Sequence, residues 1–184
     1  GNYNYVRDGA NQALNRLVGY LLRQGVKVRV YSPTTDTPAF DPTGDLVSIS
    51  SVPVPGRSEY HLGLGLSSNV RKDLAAFAPN IVHISAPDVI GHRAVSWARH
   101  RKIPVVASVH TRFDTYLNYY HLQALEPLAR GIMRRIYQRC DAILAPADSM
   151  AAVLHAQRMS RDISIWSRGV DREQFNPGRR DMAW

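Results

Sequence analysis

Short apolar runs rich in β-branched residues alternate along this 184-residue chain with segments of helical periodicity, and this alternation constrains the fold more than any other feature. The clearest run, residues 103–109, predicts a buried strand that ends at His110. Strands that alternate with helices form βαβ units around a largely parallel sheet, so we predict an α/β fold. Further strands are predicted at residues 26–31, 46–52, 80–85, 141–146 and 162–167.

Capping residues set the predicted helix boundaries. Asp8 is suited to be the N-cap of a first helix, and Ser67 or Ser68 begins the second. Pro53 and Pro55 end the strand at 46–52, so the residues between that strand and the second helix are predicted to form a connection. The remaining helices are predicted at residues 88–100, about 115–140 with a break at the proline of 126–127, and 148–157.

The chain carries a formal net charge of +8, and nearly all its basic residues are arginines because lysine occurs only at positions 27, 72 and 102. Such a balance attracts nucleic acid, anionic lipid surfaces or phosphorylated small molecules. The arginines are scattered and are not interleaved with aromatic residues, so we expect no nucleic acid partner. No apolar run approaches the ~20 residues of a transmembrane helix, and we expect a cytoplasmic protein.

The sequence lacks the common nucleophile and metal motifs. Cys140, the single cysteine, lies in an apolar helical stripe, which predicts a small buried side chain. No two histidines stand four residues apart, and no Gly-x-Ser-x-Gly motif occurs. We therefore expect a metal-independent mechanism that uses no cofactor.

A dinucleotide-binding pattern is approximated by Gly63-Leu-Gly65-Leu-Ser-Ser68, with serine in place of the third glycine. The preceding residues, Arg-Ser-Glu-Tyr-His, are not typical of an apolar strand. Without a strand, turn and helix around it the pattern has no phosphate-binding mechanism, so we predict a loop that does not bind NAD.

Four short motifs, in this order, resemble the acceptor-side domain of retaining glycosyltransferases of family 4, which have the two-domain GT-B fold. Within that family the chain is most similar to bacterial enzymes that glycosylate lipids, the mannosyl and sulfoquinovosyl transferases. The motifs are His110-Thr111-x-Phe113-x-x-Tyr116, Asp141-Ala-Ile-Leu-Ala-Pro-x-Asp-Ser149, Arg168-Gly-Val-Asp171 and Phe175-Asn-Pro177.

The resemblance implies transfer of a sugar from a nucleotide-sugar donor to an acceptor hydroxyl, with retention at the anomeric carbon. It also implies a Rossmann-like three-layer α/β/α domain at residues 1–177 and the start of an interdomain linker at 178–184. Only seven residues, mostly polar, precede Asp8, so we expect the first strand of the sheet to be missing from this sequence. We expect the amino-terminal half of a larger protein, without its donor-binding domain and inactive alone.

His110 is the candidate catalytic residue. By resemblance, its imidazole donates a hydrogen bond to a donor-sugar hydroxyl beside the developing oxocarbenium ion. The alternative is a structural histidine that bonds the adjacent loop. On the acceptor side the resemblance assigns Thr111, Phe113, Asp114 and Tyr116, although Phe113 also suits packing and Asp114 also suits a helix cap.

Donor-binding candidates stand at two other places in the sequence. Gly9 matches the turn at which the family's backbone approaches the donor phosphates, and a helix N-terminus follows it. Arg168 and Gly169 follow the last predicted strand, where an arginine can bind a phosphate or carboxylate. The alternative for the Arg168 loop is packing against the second domain.

Tyr60 and His61, just before the predicted loop, are further acceptor-binding candidates. The helix at 125–140 carries an apolar stripe flanked by arginines, which predicts either a core-facing helix or a surface that docks on an anionic membrane. In the second case the protein would be peripheral on the inner face of the plasma membrane. Two other functions stay open: a nucleotide-sugar epimerase of GT-B type, and a non-catalytic module that binds sugar or lipid.

Overall fold

A computed structural model of the chain describes residues 2–111, 123–169, 172–173 and 175–180. Helices and strands alternate from Ser68 onward, as the sequence predicts, whereas four strands follow one another between the first two helices. In chain order the elements are α1 (Gly9–Arg23), β1 (Arg29–Ser32), β2 (Asp45–Ser48), β3 (Ser51–Val54), β4 (Arg57–Gly63), α2 (Ser68–Phe77), β5 (Val82–Ile84), α3 (Val89–His100), β6 (Val105–Ser108), α4 (Glu126–Tyr137), β7 (Ala142–Ala145), α5 (Asp148–Ala156) and β8 (Ile163–Ile165).

The main sheet contains four parallel strands in the order β5-β6-β7-β8. In its register Val106 pairs with both His83 and Ala142, and Ile143 pairs with Ile163. Val105 and Ala107 on one face of β6 are fully buried, and so is Ser108 on the other, because helices cover both faces of a parallel sheet. The α/β fold with a mainly parallel sheet is therefore confirmed.

Local sequence determines where the helices begin. The carboxylates of Asp8 and Asp88 accept hydrogen bonds from the backbone N–H groups of Asn11 and Gly91, each at 2.8 Å. Ser67 Oγ accepts one from the backbone N–H of Val70 at 3.3 Å. These contacts span three residues, and they satisfy backbone donors that have no partner inside the helix.

Of the long helix predicted at 115–140, residues 115–122 lie outside the described residues, and the described helix α4 covers Glu126–Tyr137. A 3₁₀ turn at Gln123–Leu125 precedes α4, and Pro127 lies in the first turn of α4, where its missing N–H has no intrahelical acceptor. The helix ends at Tyr137, three residues before Cys140. Cys140 is buried against the core, as predicted.

The predicted connection between the second strand and the second helix is wrong, because this region forms an antiparallel hairpin of β3 and β4. Pro53 lies within β3 opposite His61, on a strand that pairs on one side only. Proline is tolerated on such an edge strand because no ladder donor is lost there. The Pro55-Gly56 turn is visible in the sequence, but the charged Arg57-Ser-Glu59 start of β4 has no apolar alternation that predicts a strand.

β1 and β2 form a separate parallel pair that is not hydrogen-bonded to the main sheet. A cavity of about 270 Å³ lies between this pair and β5, and its lining includes Tyr31, Val82 and His83. The residues before α1 are tied to the loop after β1: Tyr3 donates from its hydroxyl to the Thr43 carbonyl oxygen at 2.7 Å.

Candidate active site

His110 follows the carboxyl end of β6, and its ring is hydrogen-bonded to the neighbouring strand through a serine. Its Nε2 lies 2.7 Å from Ser108 Oγ, and the same Oγ lies 2.9 Å from Nε2 of His83 on β5. Ser108 is buried and bridges the two imidazoles. The other ring nitrogen of His110, Nδ1, is buried and has no hydrogen-bond partner in the described part of the chain.

Both imidazoles are neutral at physiological pH. Burial, and to a smaller extent the positive charge of Arg168 and the nearby His83, together lower the pKa of His110 to about 4. Burial alone lowers the pKa of His83 to about 4. His83 keeps solvent-accessible surface and is one of the residues that line the cavity beside β5.

Arg168 lies beside His110 and holds the loop after β8 against the end of β6. Its Nη2 donates to the backbone carbonyl oxygen of Val109 at 3.3 Å and to that of His110 at 3.5 Å. Arg168 and Gly169 both have left-handed backbone conformations, with φ of +69° and +68°. Such strain in a non-glycine residue is a feature of functional loops.

The guanidinium of Arg168 has no carboxylate partner among the described residues, and burial lowers its pKa. A half-buried arginine without an acidic partner favours an anionic ligand. The structure therefore places a neutral imidazole and a cation together at the carboxyl edge of a parallel sheet, where ligands of open α/β sheets bind.

Trp166 completes this cluster, and the sequence analysis missed it. It follows β8 directly, and its ring makes edge contacts with the rings of His110 and His83, at centroid distances of 5.8 and 6.4 Å. A signal was present, because Trp166 stands two residues before Arg168 at the end of the last predicted strand. We had placed only Arg168 and Gly169 at that edge.

Two of the acceptor-side candidates, Tyr60 and His61, lie on β4. His61 is in contact with Tyr5, at a ring centroid distance of 5.3 Å, and its backbone N–H donates to Tyr5 Oη at 3.1 Å. Tyr60 instead lies under the guanidinium of Arg57, 4.9 Å from ring centroid to Cζ. Neighbours on a strand point to opposite faces, so Tyr60 and His61 do not face one ligand together.

The remaining candidates differ in how far the structure describes them. Thr111 is half-buried immediately after His110. Phe113, Asp114 and Tyr116 lie outside the described residues, so their assignments stay predictions. Among the described contacts, none joins His110 to His61 or to Gly9.

Gly9 is the first residue of α1, directly after the Asp8 cap. A Cβ atom added to Gly9 would have no atom within 4 Å, so packing inside the described part of the chain does not require a glycine there. The position is open to a ligand at a helix N-terminus, which favours anions. The Asp8 carboxylate next to it opposes that preference.

The dinucleotide-like segment has a structural explanation. A Cβ on Gly63 would collide with the side chain of Ile90 on α3, so glycine is needed at the end of β4 for close packing. Gly65 has a φ of +113°, which an L side chain rarely adopts. β4 does precede this segment, contrary to our expectation, but it belongs to the antiparallel hairpin and not to a βαβ unit.

One face of α4 is unusual because it exposes apolar side chains. Leu125, Leu128 and Ile132, which we call the apolar ridge, are 46%, 63% and 53% exposed. Met133 and Ile136 on the other side are buried in the core. The predicted single stripe is thus divided between the core and the surface. None of the described helices is long and apolar enough to cross a membrane.

The same face of α4 continues into a cationic region. Arg135 and Arg139 follow Ile132 at helical spacing, and Arg139 Nη2 donates to Ser96 Oγ on α3 at 3.0 Å. Burial lowers the pKa of His92 on α3, and the charges of Arg139, Arg93 and Arg135 lower it further. Positive charge is therefore concentrated where α3 and α4 meet.

The fold and the cluster at its carboxyl edge define a Rossmann-like half of a GT-B protein with a site suited to an anionic ligand. The model of glycosyltransferase family 4 matches residues 7–174, so the chain belongs to glycosyltransferase family 4. This confirms the family that the sequence motifs resemble.

Curated relatives agree with the family. The chain is 28% identical to a sulfoquinovosyl transferase of Arabidopsis thaliana over 95% of the chain and 34% of that protein. It is 31% identical to a GDP-mannose-dependent alpha-mannosyltransferase of Corynebacterium glutamicum over 76% of the chain and 33% of that protein. A protein of the same name from Mycolicibacterium smegmatis is 30% identical over 95% of the chain and 47% of its own length. The chain spans a third to a half of these relatives.

Proposed function

We propose that the protein containing this chain is a retaining glycosyltransferase. It transfers a hexose from a nucleotide-sugar donor to the hydroxyl of a lipid or glycolipid acceptor, and this chain supplies the acceptor side and His110. The transfer needs no metal or cofactor, and the chain is inactive without a donor-binding half. Membership of family 4 supports the reaction type.

The observation that carries this proposal is the buried Nδ1 of a neutral imidazole beside Arg168, a ring nitrogen that has no partner among the residues that the structure describes. A neutral imidazole donates or accepts a hydrogen bond without adding positive charge next to a developing oxocarbenium ion. Arg168 supplies the charge that a donor phosphate needs. A purely structural histidine would instead be expected to satisfy both ring nitrogens within the protein.

The donor is a nucleotide-sugar, and GDP-mannose is the first to test because three relatives are named as GDP-mannose-dependent mannosyltransferases. Gly9 at the start of α1 and the Arg168–Gly169 loop would contact the donor phosphates. Thr111, Phe113, Asp114 and Tyr116 would contact the acceptor. Only one of the β4 residues Tyr60 and His61 would join them, because their side chains point to opposite faces of the strand.

The test uses the intact protein with a panel of nucleotide-sugars and extracted lipids, and product anomers are assigned by NMR. Sugar appearing on an acceptor with the donor's anomeric configuration is the expected result. Conversion of the nucleotide-sugar in the absence of any acceptor would replace the proposal with an epimerase. Binding without turnover of any donor would replace it with a sugar- or lipid-binding module.

We also propose that the protein reaches its lipid acceptor as a peripheral protein on an anionic membrane, through the apolar ridge and Arg135 of α4. An apolar strip beside arginines binds such surfaces by apolar burial together with attraction to anionic headgroups. The exposure of Leu128 and Ile132 and the net charge of +8 support this orientation.

Vesicle sedimentation tests the membrane proposal. We expect the protein to sediment with vesicles that contain anionic lipid and to stay in the supernatant with neutral ones. A Leu128→Ser/Ile132→Ser variant should lose most of this binding. The matched control, Tyr20→Ser/Leu22→Ser, changes exposed apolar residues on α1 and should keep it. Equal sedimentation with anionic and neutral vesicles would rule out this surface.

A further inference from the structure

Ser108 can form hydrogen bonds to both imidazoles only if it donates to one ring and accepts from the other. A hydroxyl carries one proton, so it donates to one ring and must accept from the other. Two arrangements are possible: His83 donates to Ser108 and Ser108 donates to His110, or the direction of both bonds is reversed. Each arrangement assigns one tautomer to each neutral ring.

Both contacts are within hydrogen-bond distance, at 2.7 Å from Ser108 Oγ to His110 Nε2 and 2.9 Å from Ser108 Oγ to His83 Nε2. The arrangement in which His83 donates to Ser108 and Ser108 donates to His110 is the one that leaves a donor on the other ring nitrogen of His110. In this arrangement His110 Nε2 accepts, so the single ring proton of His110 is on Nδ1. That atom is the buried ring nitrogen without a partner among the described residues.

We infer that His83 and Ser108 are positioning residues that hold His110 in its Nδ1–H tautomer, so that the ring presents a hydrogen-bond donor to the bound substrate. This inference rests on the proposed function of His110. The three residues come from two adjacent strands, β5 and β6, and form a chain of hydrogen bonds that ends in the site. The ligand group it recognises is an oxygen acceptor, such as a sugar hydroxyl.

The directed hydrogen bonds from His83 through Ser108 to His110 can form only while both rings are neutral. Burial keeps the pKa of both rings near 4, so at pH 7 neither carries a second proton. Within the described part of the chain, the groups that face His110 are His83 on β5, Ser108 on β6, and Trp166 and Arg168 after β8. The cation of Arg168 opposes a second proton on His110, which preserves the directed chain.

The ring tautomers can be measured directly in the intact protein. In protein labelled with ¹⁵N-histidine, long-range ¹H–¹⁵N spectra distinguish the Nδ1–H and Nε2–H forms, and His110→Asn and His83→Gln variants assign the signals. We expect His110 as Nδ1–H and His83 as Nε2–H. Ser108→Ala should turn His110 into a mixture of tautomers. A wild-type His110 in the Nε2–H form, or an unchanged tautomer in Ser108→Ala, would overturn the inference.

Kinetics of the same variants separate this inference from the proposed function. Ser108→Ala should lower kcat about tenfold with little change in the donor KM, since one orienting hydrogen bond is lost. His83→Gln places an amide N–H donor near Nε2 and should keep most of the rate, whereas His83→Leu should not. If the tautomer changes in Ser108→Ala while transfer is unaffected, the positioning role of Ser108 is supported and the catalytic role of His110 is contradicted. Thermal unfolding of Ser108→Ala confirms that the variant is folded.

Discussion

Arg168 Nη2 donates to the backbone carbonyl oxygen of Val109 at 3.3 Å, so a guanidinium from the loop after β8 lies across the carboxyl end of β6. This contact joins the loop after β8 to β6, although β7 lies between these two strands in the main sheet. It places an arginine without a carboxylate partner, within the described part of the chain, beside the His110 ring.

Arg168→Gln should raise the pKa of His110, because the charge of Arg168 is one of the causes that lower it. The pKa should still stay below 6.5, since burial is the larger cause and remains. Donor binding should weaken roughly 10- to 100-fold, as for the loss of one charge-assisted hydrogen bond. An NMR titration of His110 and the donor KM measure the two effects.

The control is Arg161→Gln, which removes an exposed arginine before β8. It should change neither the pKa of His110 nor the donor KM. A His110 pKa that is the same in Arg168→Gln and wild type would contradict this account of the electrostatics.

Acid should destabilise the protein through His110. The folded pKa lies near 4 and the unfolded value near 6.5, so between these pH values the unfolded state binds more protons. The free energy of unfolding should therefore fall as pH falls from 6.5 to 4, by at most about 3 kcal/mol from this residue. Denaturant titrations across this range should show a shallower decline in His110→Asn. Identical declines in both proteins would refute this.

The Gly9→Ala variant distinguishes a role of Gly9 in binding the donor phosphates from a role in the stability of the fold. The free energy of unfolding should be unchanged or slightly higher, because a Cβ there meets no atom within 4 Å. The donor KM should rise about tenfold if the backbone of Gly9 approaches phosphate.

Gly131→Ala is the matched control, because Gly131 lies inside α4 and its added Cβ also meets nothing. It should stabilise the protein by about 0.5–1 kcal/mol without changing the donor KM. An unaltered KM in Gly9→Ala would leave Gly9 without a role in donor binding.

Gly63→Ala should destabilise the protein by about 1–3 kcal/mol, because the new Cβ would overlap Ile90. Denaturant unfolding measures the change. Adding Ile90→Ala removes the colliding atoms, so the double variant should be more stable than the sum of the two single effects predicts. Simple additivity would show that the hairpin does not pack on α3 as described.

Features set by neighbouring residues were predictable from the sequence. The caps Asp8, Ser67 and Asp88 each bond a backbone N–H three residues ahead, so local pattern alone locates the helix starts. The strand that ends before His110 was found because it is buried on both faces, which leaves a continuous apolar run.

Features that depend on distant partners were missed. The β3–β4 hairpin contains Pro53, and its second strand begins with charged residues, so its pairing is what identifies it as strand. His83 and Ser108 are 25 residues apart in sequence, so no spacing rule connects them. Trp166 likewise reaches His110 through the parallel order of the strands, which the sequence does not specify residue by residue.

The most direct test compares sugar transfer by the intact protein and its His110→Ala variant, with GDP-mannose and other nucleotide-sugars as donors. We expect transfer with retained anomeric configuration by the wild type and a loss of about 100-fold or more in kcat for the variant. Thermal unfolding should show that the variant is folded. Equal transfer rates in the two proteins would contradict the central role of His110.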